Sequence, residues 1–135
     1  LSIVGVNNLQ FGSVNPGTNK SVNKSTPGLA GEWEITGDPA AEISFEFELP
    51  DSLMHVDSAA GLPCIFVNSA ASYSDGTGTQ FSPTGTLNPN TCSAEDIGAG
   101  GTMTVWIGGT VMPRVGQAGG PYAADVILTV MYTGN

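Results

Sequence analysis

The chain has 135 residues, enough for one domain with one core. Charged residues make up 11% of it, well below the share in a typical soluble domain, so Ser, Thr, Asn and Gly must cover the surface. Twelve acids against three bases give a formal charge of −9, which repels a phosphate backbone and excludes nucleic acid as a partner. That charge also keeps copies apart in low salt, so self-association has to rest on short-range backbone and apolar contacts.

No apolar run approaches the length of a bilayer span, and no Lys/Arg cluster could hold an anionic membrane, so membrane insertion is not expected. An opening leucine without a methionine fits either a processed N-terminus, such as one left by a removed secretory signal, or an excised segment. Sustained helical periodicity is missing, and Gly and Pro recur throughout.

In chain order, LSIVGV (1–6) alternates Leu1, Ile3 and Gly5 with Ser2, Val4 and Val6, and Asn7-Asn8 sets it off from the next segment. Two roles are open to it: an extended apolar donor arm for another chain, or an ordinary first strand of its own domain. NLQFGSV (8–14) reads as a second lead-in strand, and NPGTNK (15–20) as a turn before a polar strand at 20–25. GEWEITG (31–37) sends Trp33 and Ile35 to one face and Glu32 and Glu34 to the other. EISFEFEL (42–49) places Ile43, Phe45, Phe47 and Leu49 inward and Glu42, Ser44, Glu46 and Glu48 outward, and Pro50 ends it.

CIFV (64–67) reads as a short buried strand. Residues 68–100 read as mostly loop, with one short pairing near TQFSP and TGTL. TMTVWIGGTVMPRV (102–115) predicts a strand broken or bulged at Gly108-Gly109, with Trp106 facing away from Met103, Val105 and Ile107. The closing strand, 124–132, is apolar on both parities: Val126, Leu128, Val130 and Tyr132 on one, Ile127 and Met131 on the other. Such a strand is seldom a solvent-facing edge. Short strands between turn signals predict a single all-β antiparallel sandwich of immunoglobulin-like type over 1–135, with 1–7 as the candidate arm.

Catalytic and metal motifs are missing. His55 has Asp51 and Asp57 nearby but no nucleophile motif, and reads as a loop histidine. Asp51, Asp57, Glu95 and Asp96 do not form a calcium loop. Glu42, Glu46 and Glu48 read as a solvated face, and DGTGTQ (75–80) opens no helix and carries no lysine. The chain is expected to be neither an enzyme nor a cofactor protein. Trp33, Trp106, Tyr73 and Tyr122 leave a sugar-stacking platform as the competing function, with Trp106 the better outward aromatic and Trp33 core. Cys64 and Cys92 predict one disulfide in an oxidising compartment, closing a loop of about 28 residues worth roughly 3 kcal/mol.

NLQFG (8–12), WEITGDP (33–39), the strand ending ELP (48–50) and the terminal GPYAADVILTVMY (120–132) resemble the spore-coat-U and fimbrial-pilin-like domains. Gly120 and Tyr132 have the spacing of the glycine and tyrosine that end chaperone–usher pilins. The resemblance implies a sandwich lacking one strand, completed by a neighbour's N-terminal segment. It implies Leu1, Ile3, Val4, Gly5 and Val6 as donor, and a groove beside Gly120, Tyr122, Val126, Leu128, Val130 and Tyr132. It further implies a homopolymer at the cell surface after secretion, handled by a periplasmic chaperone and an outer-membrane usher. The pilin pattern departs here in two places: Thr133, Gly134 and Asn135 follow the tyrosine, and the cysteines lie mid-chain.

Overall fold

A computed structural model describes residues 1–56 and 63–135. It is all-β and antiparallel. Asp57, one of the acids weighed beside His55, lies outside the described residues. Eleven strands are described: β1 Ser2–Asn7, β2 Lys20–Val22, β3 Gly31–Thr36, β4 Glu42–Glu48, β5 Ser52–His55, β6 Cys64–Ser74, β7 Gly85–Leu87, β8 Ser93–Asp96, β9 Thr102–Met112, β10 Tyr122–Ala123 and β11 Ile127–Tyr132. They form two sheets. The larger runs β1-β3-β9-β6-β5-β10, with β2 also on β9 and β7 on β6; the smaller runs β11-β4-β8.

The alternation read in β3 and β4 sets the core. Ile35, Ile43 and Phe45 are buried with Met103, Val105, Ile107, Ile97 and Leu128 between the sheets, and Trp33, Phe47 and Leu49 pack against them. A second, smaller cluster, Cys64, Phe66 and Val111, is flanked by Leu9, Phe11, Val14, Leu53 and Tyr122.

The long strands β6 and β9 each change partner along their length. β9 pairs with β3 over Thr102–Ile107 and with β2 over Gly109–Val111. β6 pairs with β7 over Ala71–Tyr73 and with β5 at Cys64 and Ile65. The irregularity expected at Gly108-Gly109 lies instead across the ladder on β6, between Val67 and Ala70, where Asn68 takes a left-handed φ of 55°. β9 runs through unbroken. Its glycines serve close approach: a Cβ on Gly108 would strike the backbone of Val22 to Lys24, and one on Gly109 the Phe66 ring.

Three further expectations are corrected. CIFV is only the start of an eleven-residue strand, and 68–100 also contains β7 and β8. The hydroxyls of Ser72 and Ser74 lie buried in that strand despite their polarity, a burial that polar composition hides. Residues 8–14 form no strand; their backbone bonds elsewhere, Gln10 N–H to the Leu29 carbonyl at 2.8 Å. Trp106 does face outward by parity, but it is buried, and its indole N–H donates to Glu32 Oε1 at 2.8 Å.

Candidate functional site: a groove leading into the last strand

The small sheet covers only part of the large one. Where cover stops, a groove of about 780 Å³ opens over the second apolar cluster. Its floor comes from the large sheet: Trp33, Ile107, Val111, Leu53 and Cys64. One wall is the end of β1 with residues 8–14, and the other is the segment from Gln117 to Val126 that leads into β11. Among the described lining residues the charged ones are Glu32 and Asp125, both acids.

The wall at 117–126 is held from behind. β10 pairs with β5, Tyr122 opposite His55. The two rings meet edge to face at 5.0 Å, and His55 Nε2 lies 2.8 Å from the Gly119 carbonyl. Gly120 sits at φ 118°, and a Cβ there would come within 2.5 Å of the imidazole. The glycine is needed on both counts. The Tyr122 hydroxyl donates to the Ala118 carbonyl at 2.7 Å and accepts from Gln117 Nε2 at 3.1 Å. His55 is thus a brace for the groove wall, a role its position in the sequence does not signal.

β11 follows directly on Val126: of the residues expected beside the groove, Gly120, Tyr122 and Val126 line it, whereas Leu128 belongs to the larger core cluster, Val130 packs against that cluster and Tyr132 lies outside the lining. Among the described residues β11 pairs with β4 alone, which leaves its other edge unpaired. Leu128 is buried and Val126 and Val130 are half-buried, while Ile127 and Met131 are exposed on the outer side. The strand expected not to face solvent is therefore an edge in the single chain. β1 borders the other sheet and pairs with β3 of its own domain, Ser2 opposite Thr36 through Gly5 opposite Trp33. Ile3 packs on the core, whereas Val4 and Val6 are exposed. Of the two roles open to residues 1–6, the isolated chain displays the in-domain strand.

The opposite end of the sandwich, outside the groove lining, is closed. A Cβ on Gly37 would come within 3.0 Å of the Tyr132 hydroxyl, Ile97 Cδ1 and Leu1 Cδ1, so these three converge there. The Asp38 N–H donates to the Tyr132 hydroxyl at 2.9 Å. Beyond it, Thr133 Oγ1 and Asn135 Nδ2 donate to Glu42 Oε1 at 2.6 and 3.1 Å. These two bonds, Thr133 first, hold the Glu42 carboxyl below its ordinary range. Thr133 and Asn135, two of the three residues that follow Tyr132, thus form a clasp on β4.

Of the aromatic set read as a sugar platform, Tyr73 and Trp106 are buried, and Trp33 and Tyr122 share the groove lining. Burial, then the Glu95 carboxylate that accepts its hydrogen bond, pushes the Tyr73 hydroxyl up to about 12. Both cysteines are free thiols. Cys64 is buried on β6 at the groove floor, and burial raises its thiol; Cys92 is exposed ahead of β8 in the other sheet. The Cys64–Cys92 bridge expected from composition is therefore not present in this structure. Among the described residues no three His, Cys, Asp or Glu side chains gather to hold a metal ion. The chain matches no protein-family model and no curated protein.

Proposed function

We propose that the protein is a structural subunit of an extracellular filament, fimbria or coat, and that its groove receives an extended apolar strand from a neighbouring subunit. The observation that carries this reading is an open groove with an apolar floor whose wall ends at Val126 and runs on directly into β11, a strand with one edge unpaired among the described residues. A strand laid in the groove and continued past Val126 would find backbone partners along β11 and an apolar floor for alternate side chains, as in β-augmentation. The acidic rim at Glu32 and Asp125 disfavours carboxylates in the occupant.

Within this chain the donor is LSIVGV (1–6), which carries no charged side chain and alternates apolar residues. Donation exchanges its pairing with β3 and the core contact of Ile3 for equivalent pairing and burial in the neighbour's groove. A chaperone supplying a temporary strand before an usher passes the subunit on fits the same opening.

Cys64 gives a direct test, because it lies on the groove floor. In a Cys92→Ser chain, alkylation of Cys64 should slow when a synthetic LSIVGVNN peptide is added, and should not slow with the same peptide carrying aspartate in place of Ile3. Deleting residues 1–6 should abolish filaments seen by electron microscopy. Unchanged alkylation together with filaments of native length from the truncated chain would overturn the reading. Saturable glycan binding by a stable monomer would favour the carbohydrate alternative, for which Phe11, Trp33 and Tyr122 are the groove aromatics.

A further inference from the structure

The N-terminal arm and the groove share residues. Gly5 and Asn7 belong to β1 and also line the groove, on the wall that continues through residues 8–14. The arm's other end reaches the closed end of the sandwich, where Leu1 Cδ1 and the Tyr132 hydroxyl both lie within 3.0 Å of a Cβ built on Gly37. Between these points Ile3 packs on the core cluster that holds Leu128 and against which Val126 and Val130 also pack. Val126 lines the groove, and Tyr132 ends β11. β1 and β11 therefore border the same side of the sandwich, one from each sheet, and each has an edge unpaired among the described residues.

That placement limits what the groove can hold. A strand lying in it meets β1 at Gly5 and Asn7. To continue past Val126 along β11 it needs the core seat that Ile3 holds and the corner that Leu1 fills. Two side chains cannot share one close-packed seat, so the incoming strand and the resident arm exclude each other. The arm is also built to leave at a defined point. Its register against β3 runs from Ser2–Thr36 to Gly5–Trp33, then slips before Asn7 meets Glu32. Beyond the slip the chain is pinned separately: Asn7 Nδ2 donates to the Ala30 carbonyl at 2.9 Å, and Gln10 N–H to the Leu29 carbonyl at 2.8 Å. Residues 1–6 can peel from β3 while the wall at 8–14 stays in place.

We infer that the arm is an autoinhibitory strap: in a free subunit it closes the side of the sandwich between the groove and Tyr132, and filling the groove drives it out. This rests on the groove being a strand acceptor. Linkage is reciprocal, so a subunit whose arm is released accepts a strand more tightly, by the same factor as acceptance favours release. A free subunit keeps its arm paired and is a poor donor. One that has accepted carries its arm loose, ready for the next groove. Growth then runs one way from subunits already joined, and a new filament starts slowly because its first arm must leave with no strand to replace it.

The test locks the strap. In the full Cys92→Ser chain, Ser2→Cys and Thr36→Cys place thiols opposite each other on β1 and β3, and oxidation joins them. The LSIVGVNN peptide is titrated against alkylation of Cys64, read by mass spectrometry, in the oxidised and the reduced form. The oxidised form should need about tenfold more peptide for the same protection. In the parent chain, saturating peptide should speed amide exchange over residues 2–5, a readout that needs no engineered bond. Equal protection of Cys64 in both forms, with exchange over 2–5 unmoved by peptide, would overturn the strap and leave the groove an acceptor. No protection in either form would overturn strap and acceptor together.

Discussion

The two ends of the sandwich solve the same problem in opposite ways. At the end where Leu1, Gly37 and Tyr132 meet, the β3–β4 turn and the residues after β11 close the gap with directed hydrogen bonds from Asp38, Thr133 and Asn135. At the other end the same two sheets part, and an opening remains whose floor is apolar and whose rim is polar. A sheet edge can be closed locally by a few donors that fix a tyrosine and a carboxylate. Leaving the far end open keeps apolar surface in reserve, and that reserve is what a partner can use.

The comparison breaks most sharply in the core. Phe45→Ala, between the sheets, should cost about 3–5 kcal/mol in chemical denaturation. Leu53→Ala, at the groove floor, should cost less, about 1–2 kcal/mol, because its side chain is only half-buried in the free chain. Adding the LSIVGVNN peptide should widen the Leu53→Ala deficit and leave that of Phe45→Ala unchanged; equal deficits with and without peptide would mean that the groove floor is not used.

At the closed end, Tyr132→Phe keeps the ring and removes the acceptor for the Asp38 N–H. A loss of about 1 kcal/mol is expected, with Cys64 alkylation unaltered. Tyr73 gives an alkaline signature. Its folded value is raised to about 12 from 10, so the folded state holds the proton more tightly; that stability is complete below pH 10 and is lost as pH rises toward 12. A Tyr73→Phe chain should show a flatter stability profile over that window. The smallest effect concerns Glu42, whose lowered value means stability present above the ordinary carboxylate range and lost as pH falls through the folded value. Glu42→Gln should flatten the acid limb slightly, and a steeper limb would contradict the clasp.

Much of the sandwich is legible in the sequence because period-two alternation and burial coincide. The inward set of β4 is Ile43, Phe45 and Phe47, as its spacing requires. β6 is hidden beyond Val67 because it buries Ser72 and Ser74, and a polar strand between packed layers carries no apolar period. Parity sends Trp106 to the correct face, but the indole–Glu32 bond that accompanies its burial is tertiary. The last strand and its glycine point toward the groove, whereas its brace by His55 depends on a pairing of β5 with β10 that sequence distance conceals. Cys64 and Cys92 are unbridged in this structure, and their spacing in the chain says nothing of where the fold places each of them.

The bulge on β6 also divides the molecule in time. Above Val67 and Ala70, β6 and β9 are flanked by β7 and β3 and lie over the larger cluster; below it they are flanked by β5 and β2 over the smaller one. The lower half packs on the smaller of two separate clusters, so its amides are expected to open as a unit of their own with lower protection. Amide exchange should then step between Gly109 and Ile107 along a single continuous strand. A subunit with its groove filled should lose the step, so that assembly would appear as a gain in cooperativity.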